Sequence, residues 1–249
     1  MPLRRTDTVV VSVDVVVPVY NEERALPHTI PMLRACLSEP SFPYVWRIVI
    51  ADNASVDSTP EVGQSLAREH GDVEYVRIEQ KGRGRALKQT WLASPMDIVS
   101  YMDVDLSTGL ETFPALIRAI AEEGYDVVIG SRLAPGSQVR RSLKRRALTR
   151  GYNLLIKAMF QTRFSDAQCG FKAMSREGVQ RVVPLIEDIN WFFDTELLIL
   201  AEKLGYRIKD VPVSWVEDLD TRVNIRGTVA EDLRGLWRLR RRQPWRRVA

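Results

Sequence analysis

The chain of 249 residues has very few cysteines and histidines. Its two cysteines, Cys36 and Cys169, are too few for a disulfide framework, so a reducing compartment such as the cytoplasm is predicted. Its two histidines, His28 and His70, do not follow any predicted strand. A histidine acting as general base at a strand end is therefore not expected.

Long apolar runs are also absent. No stretch of about 18 apolar residues occurs, so no membrane-spanning helix is predicted. The apolar residues 9–19 contain Asp14, and they are interpreted as a strand rather than a signal peptide. The glycine spacings of the P-loop and of the dinucleotide-binding fingerprint are missing as well, which excludes both motifs.

Acidic residues are scarce in two segments of this chain, whose net charge is +4. Residues 132–150 hold seven basic side chains and no acid, and residues 222–249 hold nine arginines and two acids. Such blocks indicate an anionic partner, although a solvated face or a disordered end explains the tail equally well. A membrane surface or a phosphate fits better than nucleic acid, because no aromatic platforms alternate with the arginines.

The first half of the chain alternates predicted strands and helices. Near-continuous valine and isoleucine runs favour a mostly parallel sheet with helices on both faces, which is an α/β fold. The predicted strands are residues 13–19, 47–51, 73–78, 97–102 and 126–129, and the predicted helices are residues 22–37, 57–68, 85–92 and 111–122.

The pattern changes after residue 130. A loop is predicted for residues 131–142, and residues 144–160 form a basic amphipathic helix whose apolar face suits core packing, an anionic membrane surface, or both. The remaining predicted elements are a helix over residues 193–204, a strand over residues 206–215 and a helix over residues 228–240.

Two carboxylates, Asp103 and Asp105, directly follow the buried strand that ends near residue 102. Ligands of open α/β sheets bind beyond the carboxyl ends of the strands. Two acids at that place suit a hard divalent cation that also contacts phosphates. In isolation, the same pattern is better explained as a solvated turn with helix-capping acids.

Other strand ends carry polar or glycine-rich segments. A tyrosine can stack on a nucleobase, and a carboxylate can accept a hydrogen bond from a base N–H. Glycines before a helix let the backbone approach a phosphate, and an arginine can bind a phosphate through two N–H groups at once. Each of these segments also has a local explanation as a turn or a helix cap. The segments are Pro18-Val-Tyr20-Asn-Glu22, Asp52, Gly82-Arg83-Gly84 and Gly130-Ser131-Arg132.

Taken together, these segments resemble the inverting family-2 glycosyltransferases, and within them the dolichyl- and polyprenyl-phosphate sugar synthases. The resemblance covers roughly residues 13–226 and includes three further segments, at residues 166–172, 191–197 and 213–223. It implies a single GT-A-like domain of Rossmann type over residues 1–226. Residues 13–132 are then the nucleotide-sugar half, residues 133–226 the acceptor half, and residues 227–249 a basic C-terminal helix and tail.

The resemblance also implies the site residues. The nucleotide sugar is expected at Pro18, Tyr20, Glu22, Asp52, Gly82, Arg83 and Asp103. Mg²⁺ or Mn²⁺ is expected on Asp105 with Asp103 assisting, and the implied catalytic residues are Asp103, Asp105, Arg132 and Asp194. Two positions depart from the family pattern: Ser107 stands where a glutamine is frequent, and Arg83 replaces the usual lysine between two glycines.

The implied reaction moves a hexose from a nucleotide-diphosphate sugar to a polyprenyl or dolichyl phosphate, with UDP-glucose favoured over GDP-mannose. A lipid phosphate is already anionic, so no strong general base is required. The acceptor phosphate is expected at Arg132, Arg140, Arg141 and Arg222. A peripheral protein at the cytoplasmic face of the membrane is predicted.

Three alternatives remain open. With a sugar or other hydroxyl acceptor a base is needed, and Asp194 is the candidate, although it can equally serve as a helix N-cap. A non-catalytic member that only binds nucleotide sugars is disfavoured by the presence of Asp105 and Arg132. A sugar-nucleotide pyrophosphorylase is disfavoured because no glycine-rich basic loop follows the first strand.

Overall fold

The structure is a computed structural model that describes residues 10–216 and 225–247. Its first half has the predicted alternation of strands and helices. The elements are β1 (Ser12–Val19), α1 (Leu26–Leu37), β2 (Val45–Asn53), α2 (Thr59–Glu69), β3 (Val73–Ile78), α3 (Arg83–Ala93), β4 (Ile98–Met102), α4 (Phe113–Ala121) and β5 (Val127–Ser131).

The second half contains shorter strands and the two longest helices of the described part. The elements are β6 (Gln138–Arg140), α5 (Leu143–Phe160), β7 (Phe171–Ser175), α6 (Arg176–Val182), α7 (Phe193–Lys203), β8 (Ile208–Pro212), β9 (Ser214–Val216) and α8 (Ile225–Arg242). None of the helices within residues 10–216 and 225–247 is long and apolar enough to cross a membrane.

The seven-stranded main sheet has the order β3-β2-β1-β4-β7-β5-β8, and all neighbours are parallel except those of β7. The α/β class with a mostly parallel sheet is therefore confirmed. Strand β1 shows how one strand supports both faces, since Val15 and Val17 belong to one core cluster and Val16 to the other. Helices α1, α2 and α4 cover the first face, and α3 and α5 to α8 cover the second.

Strand β7 was not predicted from the sequence. It lies antiparallel between β4 and β5, with Tyr101 opposite Lys172 and Val128 opposite Ala173. Lys172, the second residue of this strand, is fully buried. A lysine rarely occupies such a position unless it is paired. Because a charged residue interrupts the apolar pattern, hydrophobic periodicity did not predict this strand.

Three other elements differ from the predictions. The strand predicted over residues 206–215 is divided, because β8 ends its pairing with β5 at Pro212 and β9 then pairs with β6 in a separate two-stranded sheet. Strand β6 lies inside the predicted loop of residues 131–142. Helix α1 begins at Leu26 rather than at residue 22, with Pro27 in its opening turn, where a missing N–H costs nothing.

Helix α8 is part of the packed domain. Its Leu236 and Leu239 are buried in the same core cluster as the apolar residues of α7. The predicted division of the chain at residues 226 and 227 remains a prediction, because residues 217–224 lie outside the described part.

Candidate active site

Asp52 lies at the end of β2 and is completely buried. Its carboxylate accepts hydrogen bonds from the Tyr75 hydroxyl at 2.6 Å, from Arg77 at 2.7 Å and from the backbone N–H of Ser55 at 2.9 Å. Burial and the hydrogen bond to Asp52 raise the pKa of Tyr75 to about 12. Three donors thus hold the Asp52 carboxylate in one orientation at the strand end.

The loop after β1 is attached to the loop after β2. Asn21, whose φ is 57°, donates its backbone N–H to Ser55 at 2.9 Å, and its side-chain oxygen accepts from the N–H of Val56 at 2.9 Å. The backbone N–H of Glu22 donates to the Thr59 hydroxyl at 2.7 Å. These bonds connect the two loops in which sequence reasoning placed nucleotide-binding residues.

The predicted residues Pro18, in β1, and Tyr20, just after it, lie beside this junction. Pro18 is partly buried within β1, opposite Ala51 of β2. The ammonium of Lys81 lies 3.7 Å from the centre of the Tyr20 ring, a cation–π contact. A cavity of about 280 Å³ opens here, lined by Asn21, Glu22, Glu23, Arg24 and Asp57.

The segment Gly82-Arg83-Gly84 begins helix α3 and is tightly packed against the segment that precedes α7. Gly82 has φ +154°, and a Cβ added there would lie 2.6 Å from the carbonyl oxygen of Ile189. Its N–H donates to the Asn53 side chain at 2.6 Å. A glycine is therefore required at position 82 by both conformation and space.

Arg83 joins two of the predicted site residues. Its guanidinium donates to Asp103 and to Asp194, each at 2.8 Å. Because the side chain of Arg83 is only 11% exposed, the two carboxylates hold a desolvated charge in place. The network connects the end of β4 with the start of α7, a link that chain order does not reveal.

Asp194 is the buried centre of this network. Its carboxylate also accepts from Lys172 at 3.0 Å and from the hydroxyl of Tyr101. Burial acts to raise the pKa of Asp194, but the charges of Lys172 and Arg83 outweigh it and hold the pKa below the usual range. A carboxylate of low pKa is a weak base, so this geometry suits Asp194 better as an anchor for Arg83 than as a general base.

Asp103 and Asp105 lie in the turn that follows β4. The side chain of Asp103 is 44% exposed, and its carboxylate packs so closely on Gly170 that a Cβ at residue 170 would lie 1.8 Å from one oxygen. Asp105 is exposed and accepts from the N–H of Ser107 at 2.9 Å. Their oxygens are the ligand type that Mg²⁺ and Mn²⁺ prefer.

Within the described ranges, no group of three or more acidic, histidine or cysteine side chains is arranged to hold a metal ion. Two carboxylates from one turn therefore fit an ion that takes its other ligands from a diphosphate and from water, as Mg²⁺ commonly does.

Arg132, at the end of β5, forms a two-pronged ion pair with Asp166. The guanidinium donates to the two carboxylate oxygens at 2.7 and 2.9 Å, and the Arg132 backbone N–H donates at 3.1 Å. Burial acts to raise the pKa of Asp166, yet the adjacent Arg132 charge lowers it overall. Asp166 was noticed in the sequence only as part of a motif, and the structure shows it as the partner of Arg132.

Trp215 of β9 contacts two arginines. The guanidinium carbon of Arg132 is 5.5 Å from its ring centre and that of Arg141 is 5.2 Å from it. A tryptophan ring can hold two cations near each other through its negative faces. Sequence reasoning did not assign Trp215 to the site, because the strand that carries it comes more than 70 residues after both arginines.

A second cavity, of about 220 Å³, is lined by four arginines. Two of them, Arg132 and Arg141, were predicted to bind an acceptor phosphate, whereas Arg140 is exposed on β6 and does not line the cavity. Arg222 lies outside the described residues. The other two, Arg146 and Arg150, belong to the basic run seen in the sequence, but only the folded position of α5 shows that they line this cavity.

The two parts of the site are connected by one loop. Asp166 holds Arg132, and Gly170, four residues later, packs against Asp103. The candidate metal ligands and the arginine cavity therefore lie on either side of the segment of residues 166–170.

The fold that carries these strand-end carboxylates is that of the GT-A glycosyltransferases. The chain belongs to glycosyl transferase family 2, whose sequence model matches residues 14–183. The family prediction is thus confirmed, and several similar proteins support the glucosyl branch.

One similar protein is the glycosyltransferase AglD of Haloferax volcanii, which is 33% identical over 234 residues, corresponding to 92% of this chain and 38% of AglD. The dolichyl-phosphate β-glucosyltransferase ALG5A of Trichomonas vaginalis is 30% identical over 95% of this chain and 79% of its own length. The Dictyostelium discoideum dolichyl-phosphate β-glucosyltransferase is 31% identical over 82% of this chain and 66% of its own. The chain thus spans less than half of AglD and about two thirds or more of the other two.

Solved structures confirm the fold. Glucosyl-3-phosphoglycerate synthase from Mycobacterium tuberculosis, solved with Mn²⁺, UDP and glucosyl-3-phosphoglycerate, matches with a TM-score of 0.69 at 19% identity, over 92% of this chain and 79% of that one. The mannosyltransferase PcManGT from Pyrobaculum calidifontis, solved with GDP-mannose and Mn²⁺, matches with a TM-score of 0.57 at 22% identity, over 95% and 62% of the two chains.

Proposed function

We propose that this protein transfers glucose from UDP-glucose to a polyprenyl or dolichyl phosphate, with inversion at the sugar carbon. The observation that carries the proposal is the four-arginine cavity beside the Asp103 turn, joined to it by the loop of residues 166–170. A cavity with that charge suits a phosphate. The similar proteins named dolichyl-phosphate β-glucosyltransferases support a lipid phosphate as the acceptor and glucose as the sugar.

The chemistry is mainly positioning and charge stabilisation. An acceptor phosphate oxygen is anionic at neutral pH, so it can attack the sugar without losing a proton to the protein. The arginines hold the phosphate, and attack opposite the departing nucleotide inverts the configuration. A divalent cation held by Asp103 and Asp105 would offset the diphosphate charge and stabilise the leaving group.

Asp52 is proposed to bind the nucleobase. Its fixed carboxylate can accept the ring N–H of uracil, and Arg77 beside it can donate to a neighbouring carbonyl oxygen. Guanine also has an N–H next to a carbonyl, so GDP-mannose remains the second candidate donor. UDP is favoured because several similar proteins are glucosyltransferases.

The donor is tested by thermal unfolding in the presence of UDP, UDP-glucose, GDP and GDP-mannose, each with and without Mn²⁺. A ligand at 100 times its dissociation constant should add about 2.7 kcal/mol to the free energy of unfolding. A Mn²⁺-dependent increase with the uridine ligands only is expected. An increase with the guanosine ligands only would indicate GDP-mannose, and not UDP-glucose, as the donor. No increase with any of the four ligands would refute the nucleotide-sugar site.

The acceptor is tested by transfer of labelled glucose to a polyprenyl phosphate and to the corresponding polyprenol. Transfer to the phosphate alone is expected. Arg146→Gln and Arg150→Gln should raise the KM for the acceptor, because each removes a charge from the cavity. Arg68→Gln, at an exposed position in α2, is the matched control and should leave the KM unchanged. Equal KM values for all three variants would refute the assignment of the cavity.

A phosphorylated small molecule with a hydroxyl acceptor is the second candidate. It is favoured by one observation: the four-arginine cavity also suits a soluble phosphate, and phosphoglyceric acid is bound in a solved structure of the similar glucosyl-3-phosphoglycerate synthase. A hydroxyl needs a base, and the low pKa of Asp194 disfavours that role. Labelled transfer to phosphoglycerate but not to polyprenyl phosphate would select this alternative.

A further inference from the structure

Helix α5 exposes its apolar side. Leu143 is 78% exposed and Leu154 is 69% exposed, and they lie on one side of the helix with Ala147, Gly151 and Ala158, which are also exposed. We call this set the α5 ridge. In a surface helix of a soluble protein such a stripe normally faces the core, so its exposure calls for a partner.

The buried side of the same helix is partly polar. Thr149 and Asn153 are buried together with Ile156 and Phe160. The two polar side chains have partners within the protein, since Arg141 donates to the Thr149 hydroxyl at 2.7 Å and Asn153 accepts from the N–H of Ala167 at 2.9 Å. These hydrogen bonds fix the orientation of α5, with the α5 ridge facing outward.

Helix α8 presents a second apolar stripe. Val229, Leu233 and Trp237 recur every four residues and are 37%, 49% and 68% exposed, whereas Leu236 and Leu239, on an adjoining side of the helix, are buried. Helices α5 and α8 lie on the same face of the sheet and contact each other. The α5 ridge and this α8 stripe therefore lie on neighbouring helices, and together they are called the α5–α8 region.

Trp245, which follows α8, is not part of that region. Its ring packs edge-on against Phe160, with the ring centres 6.2 Å apart.

The charges around this region are positive. Helix α5 contains five basic residues and no acid, and α8 carries exposed Arg234, Arg240 and Arg241 beside its stripe with one exposed acid, Glu231. Cations bordering an apolar stripe match the headgroups and acyl chains of an anionic bilayer. A second copy of this chain fits less well, because it would bring two sets of arginines together.

We propose that the α5 ridge and the α8 stripe form one docking surface for an anionic lipid bilayer. The apolar side chains enter the headgroup region and the flanking arginines bind lipid phosphates. The arginine cavity is lined by Arg146, Thr149 and Arg150 of the same helix, so docking brings its mouth to the level of the headgroups. The inference adds a partner to the proposed function but does not require it, since docking and transfer are measured separately.

The test is sedimentation with vesicles of phosphatidylcholine alone or of phosphatidylcholine and phosphatidylglycerol. Binding to the mixed vesicles only, weakened by added salt, is expected. The combined variant Leu143→Ser, Leu154→Ser and Trp237→Ser should bind the mixed vesicles at least about tenfold more weakly than the unaltered protein. Each change removes apolar surface that the bilayer would bury. Its thermal response to nucleotide should be unchanged, which confirms that it is folded.

The matched control carries Met32→Ser and Val45→Ser, at apolar side chains of similar exposure (58% and 54%) in α1 and β2. It should bind vesicles as the unaltered protein does. Equal binding by the ridge variant, or no preference for anionic vesicles, would overturn the proposal. A dimer in solution that the same ridge substitutions dissociate would assign the surface to a second copy and would also overturn it.

Discussion

Asp232 of α8 should make the folded protein less stable as the pH rises. Its carboxyl group is 3% exposed, one oxygen accepts from the Gln168 amide at 2.8 Å, and the other has no hydrogen-bond partner within residues 10–216 and 225–247. Burial, together with the negative charge of Asp188, raises the pKa of Asp232 to about 7. The group is thus protonated in the folded state at pH values where it is ionised in the unfolded chain.

The sign and size of the effect follow from this difference. Between its ordinary pKa of 3.8 and about 7, the folded state binds the extra proton, so stability decreases across this window as the pH rises. Each pH unit of the window corresponds to about 1.4 kcal/mol. The raised pKa of Asp232 therefore costs the folded state about 1 kcal/mol at pH 4.5 and at most about 4 kcal/mol at pH 8.

Asp232→Asn removes this cost and keeps an oxygen for Gln168. Urea unfolding at pH 4.5 and pH 8 should show that the variant exceeds the unaltered protein by a margin that grows by about 3 kcal/mol between the two pH values. A margin that is equal at both values would refute the reasoning.

Asp72→Asn is a control of opposite sign. The hydrogen bond from Arg34 lowers the pKa of Asp72 below its ordinary value of 3.8. The ionised Asp72 therefore contributes its full stabilisation at any pH above 3.8. That stabilisation is lost only as the pH falls through the lower pKa of the folded state. This variant should be less stable than the unaltered protein by the same amount at pH 4.5 and pH 8.

Three further outcomes are expected. Lys172→Met leaves a buried carboxylate short of one partner and should lower the free energy of unfolding by about 3 kcal/mol in urea titrations; a loss below about 1 kcal/mol would contradict the buried ion pair. Gly170→Ala forces the Asp103 carboxylate to move and should abolish nucleotide-dependent thermal stabilisation, whereas Gly71→Ala, which meets no atom within 4 Å, should not. Asp105→Asn should remove the Mn²⁺-dependent part of that stabilisation, and an unchanged response to Mn²⁺ would exclude Asp105 as a ligand.

Much of the fold was predictable because its main signals are local. Buried strands in the first half are continuous apolar runs, and parallel strands place their carboxyl ends at one edge of the sheet. This is why the sequence predicts that Asp52 and Asp103 lie at the same edge of the sheet. Strand β7 was not predicted because Lys172, which is paired with the distant Asp194, interrupts its apolar character.

The candidate site was predicted less completely. Arg132 was expected at the acceptor phosphate, and the structure shows that its guanidinium is also paired with Asp166, 34 residues further along the chain. Arg83 was expected at the nucleotide, and the structure shows that it also bridges Asp103 and Asp194. Both pairings join residues far apart in sequence, and no local pattern specifies such a pairing.

The amino-acid sequence by itself determined the α/β class, the strand-end acids and the family, because periodicity and motif spacing are properties of neighbouring residues. Only the tertiary structure decided which arginines line the cavity, which charges neutralise one another, and that α5 turns its apolar ridge outward. Those outcomes depend on which surfaces meet when helices pack on the sheet. The same residues 143–160 would satisfy helical periodicity with either side buried.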